Sequence, residues 1–510
     1  MMSDDRHNNV ACRPTANRSH KRVIGYCLIV GIAICTFGID NGETNFGYFD
    51  SSLGAYNMTA GDETRMYGIE LGFALLGSLA AGSVGTRYGR KAGLVTTALL
   101  NMLGAGLQMI SYVPGLLVGR AVMGMGVGFA GVFAIAYWSE VAPTELRGQL
   151  VIFYQILISI ATFVGAAINQ GTHAKTDAMS YRIPLLVAVL VPFSLLVLVW
   201  IVPESPRWLV TKGRIADAKI NLAKIRGSGY TPEEVDREME DVLAIAEMQR
   251  ELEASTSFLD CFRGSDLRRT VIAVTLFCGE QGMGIGFIGA YLTYFFALTG
   301  YTNAFVITVI SSACAIAGSL SSIFSIQYFG RRTILIVGAA VNCFCMLAFA
   351  TISVAAPDSP PAAKSLIAFI CIFNFTYSAS WGPVVPVIAG EIPSNRLRSK
   401  SLGLSVGGNW TCSMIVICAV PYLIGAEYAN LGTKIGFIFG GLTVPLLIFT
   451  ILFVPETKGR TLEEIDEMFL KRIPMRQFKH YVCTGTVDHT GGQKADVEMI
   501  ENAELKDRGN

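Results

Sequence analysis

Charge is scarce in this chain. Only 15% of its 510 residues are Asp, Glu, Lys or Arg, where a soluble domain carries about 25%. The 40 basic and 39 acidic residues nearly cancel, leaving a formal charge of +1. There is therefore no basic footprint for a phosphate backbone, and nucleic acid is excluded as a partner. Histidine is scarcer still. His7, His20, His173, His480 and His489 all fall outside the long apolar stretches, so no histidine metal cluster or acid–base pair can form within them. No Walker-type phosphate loop is present, and neither a metal nor a cofactor is expected. Among the twelve cysteines, only Cys12, Cys261 and Cys483 lie outside apolar stretches, and no disulfide is expected from them. What is abundant is apolar surface: 52% of residues are hydrophobic, 53 are glycine, and the mean hydropathy is +0.48. A disordered chain and a soluble multi-domain enzyme are both excluded.

A bilayer core needs about 20 mainly apolar residues per helix. Twelve such stretches are present, at roughly 23–47, 65–86, 92–111, 114–138, 149–170, 184–202, 270–295, 304–327, 333–354, 364–389, 401–424 and 434–454. Twelve spans put both termini on one side, and the Lys/Arg bias says which. Arg6, Arg13, Arg18, Lys21 and Arg22 precede the first span; Arg87, Arg90 and Lys91, then Arg331 and Arg332, then Arg396, Arg398 and Lys400 fill later loops of the same side. The termini and the long central loop are expected to be cytoplasmic. Asn57, in the sequon Asn57-Met58-Thr59, falls in the first outward loop and is a candidate for glycosylation. The first 22 residues are polar and the apolar stretch after them is too long for a signal peptide.

Three motifs occur twice, in the same order at the same loop positions. Gly89-Arg90-Lys91 after the second span returns as Gly330-Arg331-Arg332 after the eighth. Glu140 and Arg147 after the fourth return 251 residues later as Glu391 and Arg398, and Pro203-Glu204-Ser205-Pro206-Arg207 returns at an offset of 252 as Pro455-Glu456-Thr457-Lys458-Gly459. Such repetition implies two six-span halves in parallel orientation with a solute site at the midplane between them. The expected organisation is a cytoplasmic tail at 1–22, a first half at 23–206, a cytoplasmic helical linker at 207–269, a second half at 270–456 and a largely disordered cytoplasmic tail at 457–510. Within the linker, Pro232 ahead of Glu233 and Glu234 suits a helix start.

Taken as a set, these motifs resemble the sugar porter family of the major facilitator superfamily, over about 22–480. Phe287-Ile288-Gly289-Ala290-Tyr291-Leu292-Thr293-Tyr294-Phe295-Phe296, Gly382-Pro383-Val384-Val385 and Tyr181-Arg182-Ile183-Pro184 are similar to its fungal alpha-glucoside (maltose) permease branch. The resemblance implies an all-α membrane protein of twelve transmembrane helices in two pseudo-symmetric halves. It also implies a secondary active transporter moving a sugar-like solute by alternating access, as a proton symporter, in the plasma membrane. The partners are then the solute, the proton and the lipid bilayer, a monomer is expected to suffice, and no enzyme activity is expected. The charged repeats imply a cytoplasmic gate made of Arg90, Glu140, Arg147 and Glu204 in the first half and Arg331, Glu391, Arg398 and Glu456 in the second. The chain departs from the family where Thr86 and Gln327 replace the acidic residue ahead of each Gly-Arg motif.

Asp40, Glu43, Glu70, Arg120 and Glu280 are ionisable residues inside predicted spans, where a charge costs about 2.5–3.5 kcal/mol on insertion scales. Each is a functional candidate. Asp40 and Arg120 match the proton-coupling pair of the family. Arg120 cannot lose its proton, so protonation of Asp40 would break the pair. Glu43 shares a helix face with Asp40, and three roles stay open for it: proton carrier, solute contact, or a group facing outer water. Glu70 could reach the outer vestibule. Gly124, Gly126 and Gly128 follow no strand and read as close helix packing.

A sugar needs amide donors and acceptors and an aromatic surface. Gln155, Gln281 and Asn409 match family sugar-contacting positions, and Tyr291, Tyr377 and Trp381 are candidates to line the same cavity. The usual Gln-Gln pair is here Glu280-Gln281, the usual Asn is Gly286, and Pro386 stands where a Trp is usual. Hexose specificity therefore does not follow. A polyol, a quinate-like acid, a secondary metabolite or a cationic ligand drawn by Glu280 are alternatives, as are an uncoupled facilitator and a non-transporting nutrient sensor. The tail of about 55 residues after the last span disfavours the sensor.

Overall fold

A segment crossing hydrocarbon must satisfy its backbone internally, which leaves the helix as the only open-chain solution. The computed structural model follows that constraint throughout. It describes residues 21–43, 49–50, 55–56, 60–110, 113–173, 175, 179–227, 230–254, 256–298, 303–355, 360–394, 396–425, 428–478 and 481. Helices α1 (Lys21–Glu43), α2 (Ala60–Tyr88), α3 (Arg90–Gln108), α4 (Val113–Val141), α5 (Thr144–Thr172) and α6 (Met179–Leu198) come first. Three polar helices follow: α7 (Pro206–Thr211), α8 (Ile215–Arg226) and α9 (Pro232–Ala254). The rest of the chain forms α10 (Gly264–Gly282), α11 (Ile285–Leu298), α12 (Ala304–Tyr328), α13 (Arg331–Ala355), α14 (Pro360–Ala379), α15 (Trp381–Glu391), α16 (Arg398–Ile424), α17 (Ile435–Phe453) and α18 (Leu462–Leu470). Strand among the described residues is one two-residue antiparallel ladder pairing Phe49 with Tyr56.

With α10–α11 and α14–α15 each taken as one span, eleven helical stretches are long and apolar enough to cross a membrane. α3 is the twelfth. It is only 19 residues long and carries Arg90, Lys91, Asn101 and Gln108, but it buries one face against α4 and another against α6. The described residues thus provide twelve helical spans.

Two spans are interrupted. α10 stops at Gly282 and α11 starts at Ile285, with Gly284 at φ +99° between them. A Cβ at Gly284 would stand 2.9 Å from the Phe439 ring, so both the dihedral and the space require glycine. The second break lies at Ser380, just ahead of Trp381-Gly382-Pro383. Pro383 sits in the first turn of α15, where a missing N–H costs nothing.

By contacts the chain divides into two compact units. The first holds residues 1–57, 69–150 and 171–254. In it α1, α3, α4 and α6 pack together, and Leu209, Ala218, Leu222, Val235 and Met239 give α7–α9 a small core of their own. Pro232 does open α9, with Thr231 as its cap: the Thr231 N–H donates to Glu234 and the Glu234 N–H to the Thr231 hydroxyl. Arg226 pairs with Glu238 and donates through Nη1 to the carbonyl of Val141, the last residue of α4 (3.0 Å).

The second unit holds residues 58–68, 151–170 and 255–510. Part of the segment expected as a tail is built here. Thr461 and Glu464 form a capping box at the head of α18, Arg269 pairs with Asp466 and lies over the Phe469 ring, and Met475 and Phe478 are buried beyond it. The apolar positions Ile465, Met468 and Phe469 recur at helical spacing and bury one face, a short signal within a mostly polar stretch.

The glycines of α4 act as packing surfaces. At Gly124 a Cβ would fall on the backbone of Glu70, and at Gly128 on that of Ala74. Gly77 of α2 answers with its own Cβ position 2.5 Å from the Met125 carbonyl. Gly124→Val should therefore force α2 and α4 apart, an overpacking cost of about 1–3 kcal/mol, read as a lower Tm and a poorer monodisperse yield. Gly131→Ala, whose Cβ meets nothing within 4 Å, should leave both unchanged. Equal behaviour of the two variants would refute the close approach.

Candidate functional site

The deepest charged group lies in the first unit. Arg120, in the first third of α4, donates through Nη1 to Asp40 Oδ1 of α1 at 2.8 Å and to Glu70 Oε2 of α2 at 3.0 Å. Exposure falls to 5% for Arg120, 2% for Asp40 and 6% for Glu70. Three helices thus converge on one guanidinium. The glycine packing of α2 on α4 puts Glu70 there, since Gly124 lies one helical turn beyond Arg120 against the Glu70 backbone. The expected Asp40–Arg120 pair is brought together. The second carboxyl group on it is Glu70, an intramembrane candidate that the sequence could place no more closely than within reach of the outer vestibule; the Glu43 side chain lies outside the described residues. The available signal was Gly124, whose spacing from Arg120 marks the face that receives α2.

One guanidinium cannot neutralise two carboxylates. Asp40 Oδ2 is buried without a hydrogen-bond partner. The group therefore sets two buried carboxyl groups against a single cation.

The amide-bearing candidates gather in the second unit. Asn409 Nδ2 of α16 donates to the Phe277 carbonyl at 2.9 Å and to Glu280 Oε2 at 3.0 Å, while Gln281 Nε2 donates to Asn409 Oδ1 at 3.3 Å. Glu280 is 6% exposed. Gln155 of α5 belongs to the same unit, and its carboxamide lies 3.0 Å from where Gly382 would carry a Cβ. Tyr154 and Tyr377 lie within electrostatic reach of the Glu280 carboxylate; Tyr154 carried no sequence signal. The aromatic candidates are tied into the fold. Tyr291 donates to the Ile417 carbonyl (3.0 Å) and meets the Tyr67 ring edge-on, and the fully buried Trp381 donates to the Leu335 carbonyl (3.0 Å).

The repeated loop motifs form the same contact twice, once inside each unit. Glu204 accepts the backbone N–H groups of Arg90 (3.0 Å) and Lys91 (3.1 Å), and Glu456 accepts that of Arg331 (2.8 Å). A carboxylate at the start of a helix meets free N–H groups and the positive end of the dipole. Arg90 then pairs with Glu140 (2.6 Å) and Arg331 with Glu391 (3.6 Å). Arg398 lies within electrostatic reach of Glu391, Glu463 and Asp466. The side chain of Arg147 and all of Asn57 fall outside the described residues.

With the fold and these groups in view, comparison with known proteins places the chain among solute transporters of the major facilitator type. The proton:xylose symporter XylE, solved with 6-bromo-6-deoxy-D-glucose bound, superposes with a TM-score of 0.68 at 23% identity, over 88% of this chain and 99% of that one. Its inward-open form from E. coli gives 0.70 at 23% identity, over 87% and 99%. Residues 43–469 match the family described as Sugar (and other) transporter, and the chain belongs to that family. Its members are transporters rather than enzymes. The major facilitator-type transporter ecdD of Aspergillus rugulosus is 35% identical over 83% of this chain and 81% of its own length. The hexose transporter HXT10 of Saccharomyces cerevisiae is 30% identical over 88% and 86%, and the high glucose sensor RGT2 of the same yeast 32% identical over 90% and 62%. These relatives support the sugar porter family and do not single out the alpha-glucoside permease branch.

Burial holds the Glu204 carboxyl above the usual carboxylate range, against the opposing pull of the N–H groups of Ser205, Lys91 and Arg90. A raised folded value means the folded chain keeps that proton more tightly. Its contribution is complete below the ordinary Glu range and is lost as pH climbs through the folded value. Glu204→Gln, which keeps an acceptor but cannot ionise, should remove that part of the pH slope of Tm. Glu204→Ala should cost about 1–3 kcal/mol at any pH, because the N–H groups of Arg90 and Lys91 lose their acceptor. A slope identical in Glu204→Gln and the parent chain would refute the assignment.

Proposed function

We propose that this chain is a secondary active transporter that carries a sugar-like solute together with a proton, by alternating access. The observation that carries this reading is the buried Asp40–Arg120–Glu70 group. Arg120 stays charged. With both carboxylates ionised, α1 and α2 are each tied to α4 through one guanidinium. A proton arriving on Asp40 cancels the surplus negative charge and releases one of those ties, leaving Arg120 with Glu70. Loading and unloading the proton then biases which helices move together, and the solute gradient is coupled to the proton gradient through that bias. XylE, named as a proton:xylose symporter, and hexose transporters among the relatives support the same reading.

The solute is taken to meet Glu280, Gln281, Asn409 and Gln155, which offer the hydrogen-bonding atoms that a polyhydroxylated molecule needs. The Arg90–Glu140–Glu204 and Arg331–Glu391–Glu456 groups are assigned to the cytoplasmic side, where the positive-inside rule puts their loops, with the termini there and the plasma membrane as the location. Part-exposed ion pairs contribute about 0–1 kcal/mol each, which suits contacts that must open in every cycle.

The test is uptake in a transporter-deficient host, with labelled glucose, maltose, a polyol and a quinate-like acid, with and without a protonophore. Uphill accumulation of at least one solute is expected, abolished by the protonophore and by Asp40→Asn. Solute exchange down no gradient should survive in that variant, because binding is untouched. Glu70→Gln should accumulate solute with a shifted pH optimum, since Arg120 then faces one carboxylate. Uptake indifferent to both the protonophore and Asp40→Asn would replace symport with facilitated diffusion. Silence on every solute, from protein shown at the cell surface, would refute transport of these classes.

A further inference from the structure

The polar cluster around Asn409 is lopsided in what it presents. The amide orientations are determined by their partners. The Phe277 carbonyl can only accept, so the nitrogen of Asn409 faces it, and that nitrogen's other hydrogen goes to Glu280. The oxygen of Asn409 therefore faces Gln281 and takes its nitrogen, which turns Gln281 Oε1 away. That oxygen is buried with no hydrogen-bond partner. Beside it is Gly286, where a Cβ would stand 3.1 Å from the oxygen, so no side chain of its own reaches in to donate. Asn409 has thus spent both its donors inside the protein, while its oxygen keeps a second lone pair. Apart from one remaining Gln281 hydrogen, what is left to offer a solute is acceptors: Gln281 Oε1, Asn409 Oδ1 and the Glu280 carboxyl group.

Glu280 adds to that imbalance a buried carboxyl group with no counter-charge beside it. Among the described residues Asn409 is the one polar partner that acts on it, and no Lys or Arg pairs with it. A buried carboxylate needs a counter-charge, and hydroxyl groups do not supply one. Tyr154 and Tyr377 lie within electrostatic reach of the same carboxylate, and phenol rings beside a carboxylate suit a cationic head group.

We infer that this cluster selects a solute bearing a protonated amine beside its hydroxyls, of the amino-sugar class, over the neutral sugar. The ammonium donates to Glu280 and to Gln281 Oε1 in charge-assisted hydrogen bonds, and its charge replaces the cation the protein lacks there. This rests on the cluster being the solute site of the transporter proposed above.

Three ligands sharing one ring separate charge from shape: glucosamine carries the ammonium, glucose has a hydroxyl in its place, and N-acetylglucosamine has a neutral amide. Their affinities are measured on the purified full-length chain by ligand-dependent thermal stabilisation. Glucosamine is expected to bind at least about tenfold more tightly than either neutral ring. Glu280→Gln should erase that preference, so that glucosamine binds no more tightly than the two neutral rings. The three wild-type affinities test the inference even if the variant fails to fold. Equal binding of the three, binding of none, or a preference that survives Glu280→Gln would overturn it. Uptake separates this outcome from the proposed function. Accumulation of a neutral sugar without amine preference refutes the inference and leaves transport standing, whereas amine-selective binding without uptake refutes transport and leaves the inference.

Discussion

Arg120 is one guanidinium held between two carboxyl groups, in a helix bundle built to span hydrocarbon. Much of the first unit's arrangement is what that contact requires. Neither Asp40 nor Glu70 could be buried alone, since an isolated carboxylate in such a medium is far more costly than any packing it allows. The guanidinium makes the burial of both tolerable without making it neutral. Bringing three helices to one point also demands close backbone approach, and the glycine face of α4 against Glu70 and Ala74 meets that demand. Electrostatics and packing are thus one constraint: the glycines allow the distance, and the distance makes the ion pairs.

The second unit solves a different problem with neutral groups. Its buried carboxylate, Glu280, is held by a carboxamide instead of a cation. The amide chain from Gln281 through Asn409 to the Phe277 carbonyl orients each member by the one before it. In the first unit the two carboxyl groups share one guanidinium. In the second the carboxyl group stands beside an amide oxygen with unused acceptor capacity. The replacement of the family's usual Asn by Gly286 acts in the same direction, by withdrawing a donor from Gln281.

The two units nevertheless preserve a common plan at their charged ends. In each, a carboxylate from a Pro-Glu motif receives backbone N–H groups at the head of the helix that follows the Gly-Arg motif. In each, an asparagine twelve residues past that glycine, Asn101 or Asn342, is completely buried. The acidic residue missing ahead of both Gly-Arg motifs leaves no hole. Thr86 bonds back to the Ser83 carbonyl and its own carbonyl holds the Trp208 indole, while Gln327 is exposed. The carboxylates that remain, Glu204 and Glu456, are the ones that cap helices, and helix starts need an acceptor whatever the charge balance of the loop.

Sequence alone determined the number of spans, the class of fold and the internal repeat, all written in local terms as apolar runs of bilayer length and repeated motifs; the pairing of Asp40 with Arg120 came from the resemblance to the family. The sequence did not show that Glu70 is the second partner of Arg120, that Trp381 and Tyr291 spend their polar atoms on backbone carbonyls, that Asn409 has no hydrogen bond left to give, or that a short helix follows the last span. Each of those depends on which faces of distant helices meet. A single span's sequence records that a residue is polar and inside the membrane. Which neighbour satisfies it is decided only when the helices pack, because in hydrocarbon every polar atom takes whatever partner the packing brings within reach.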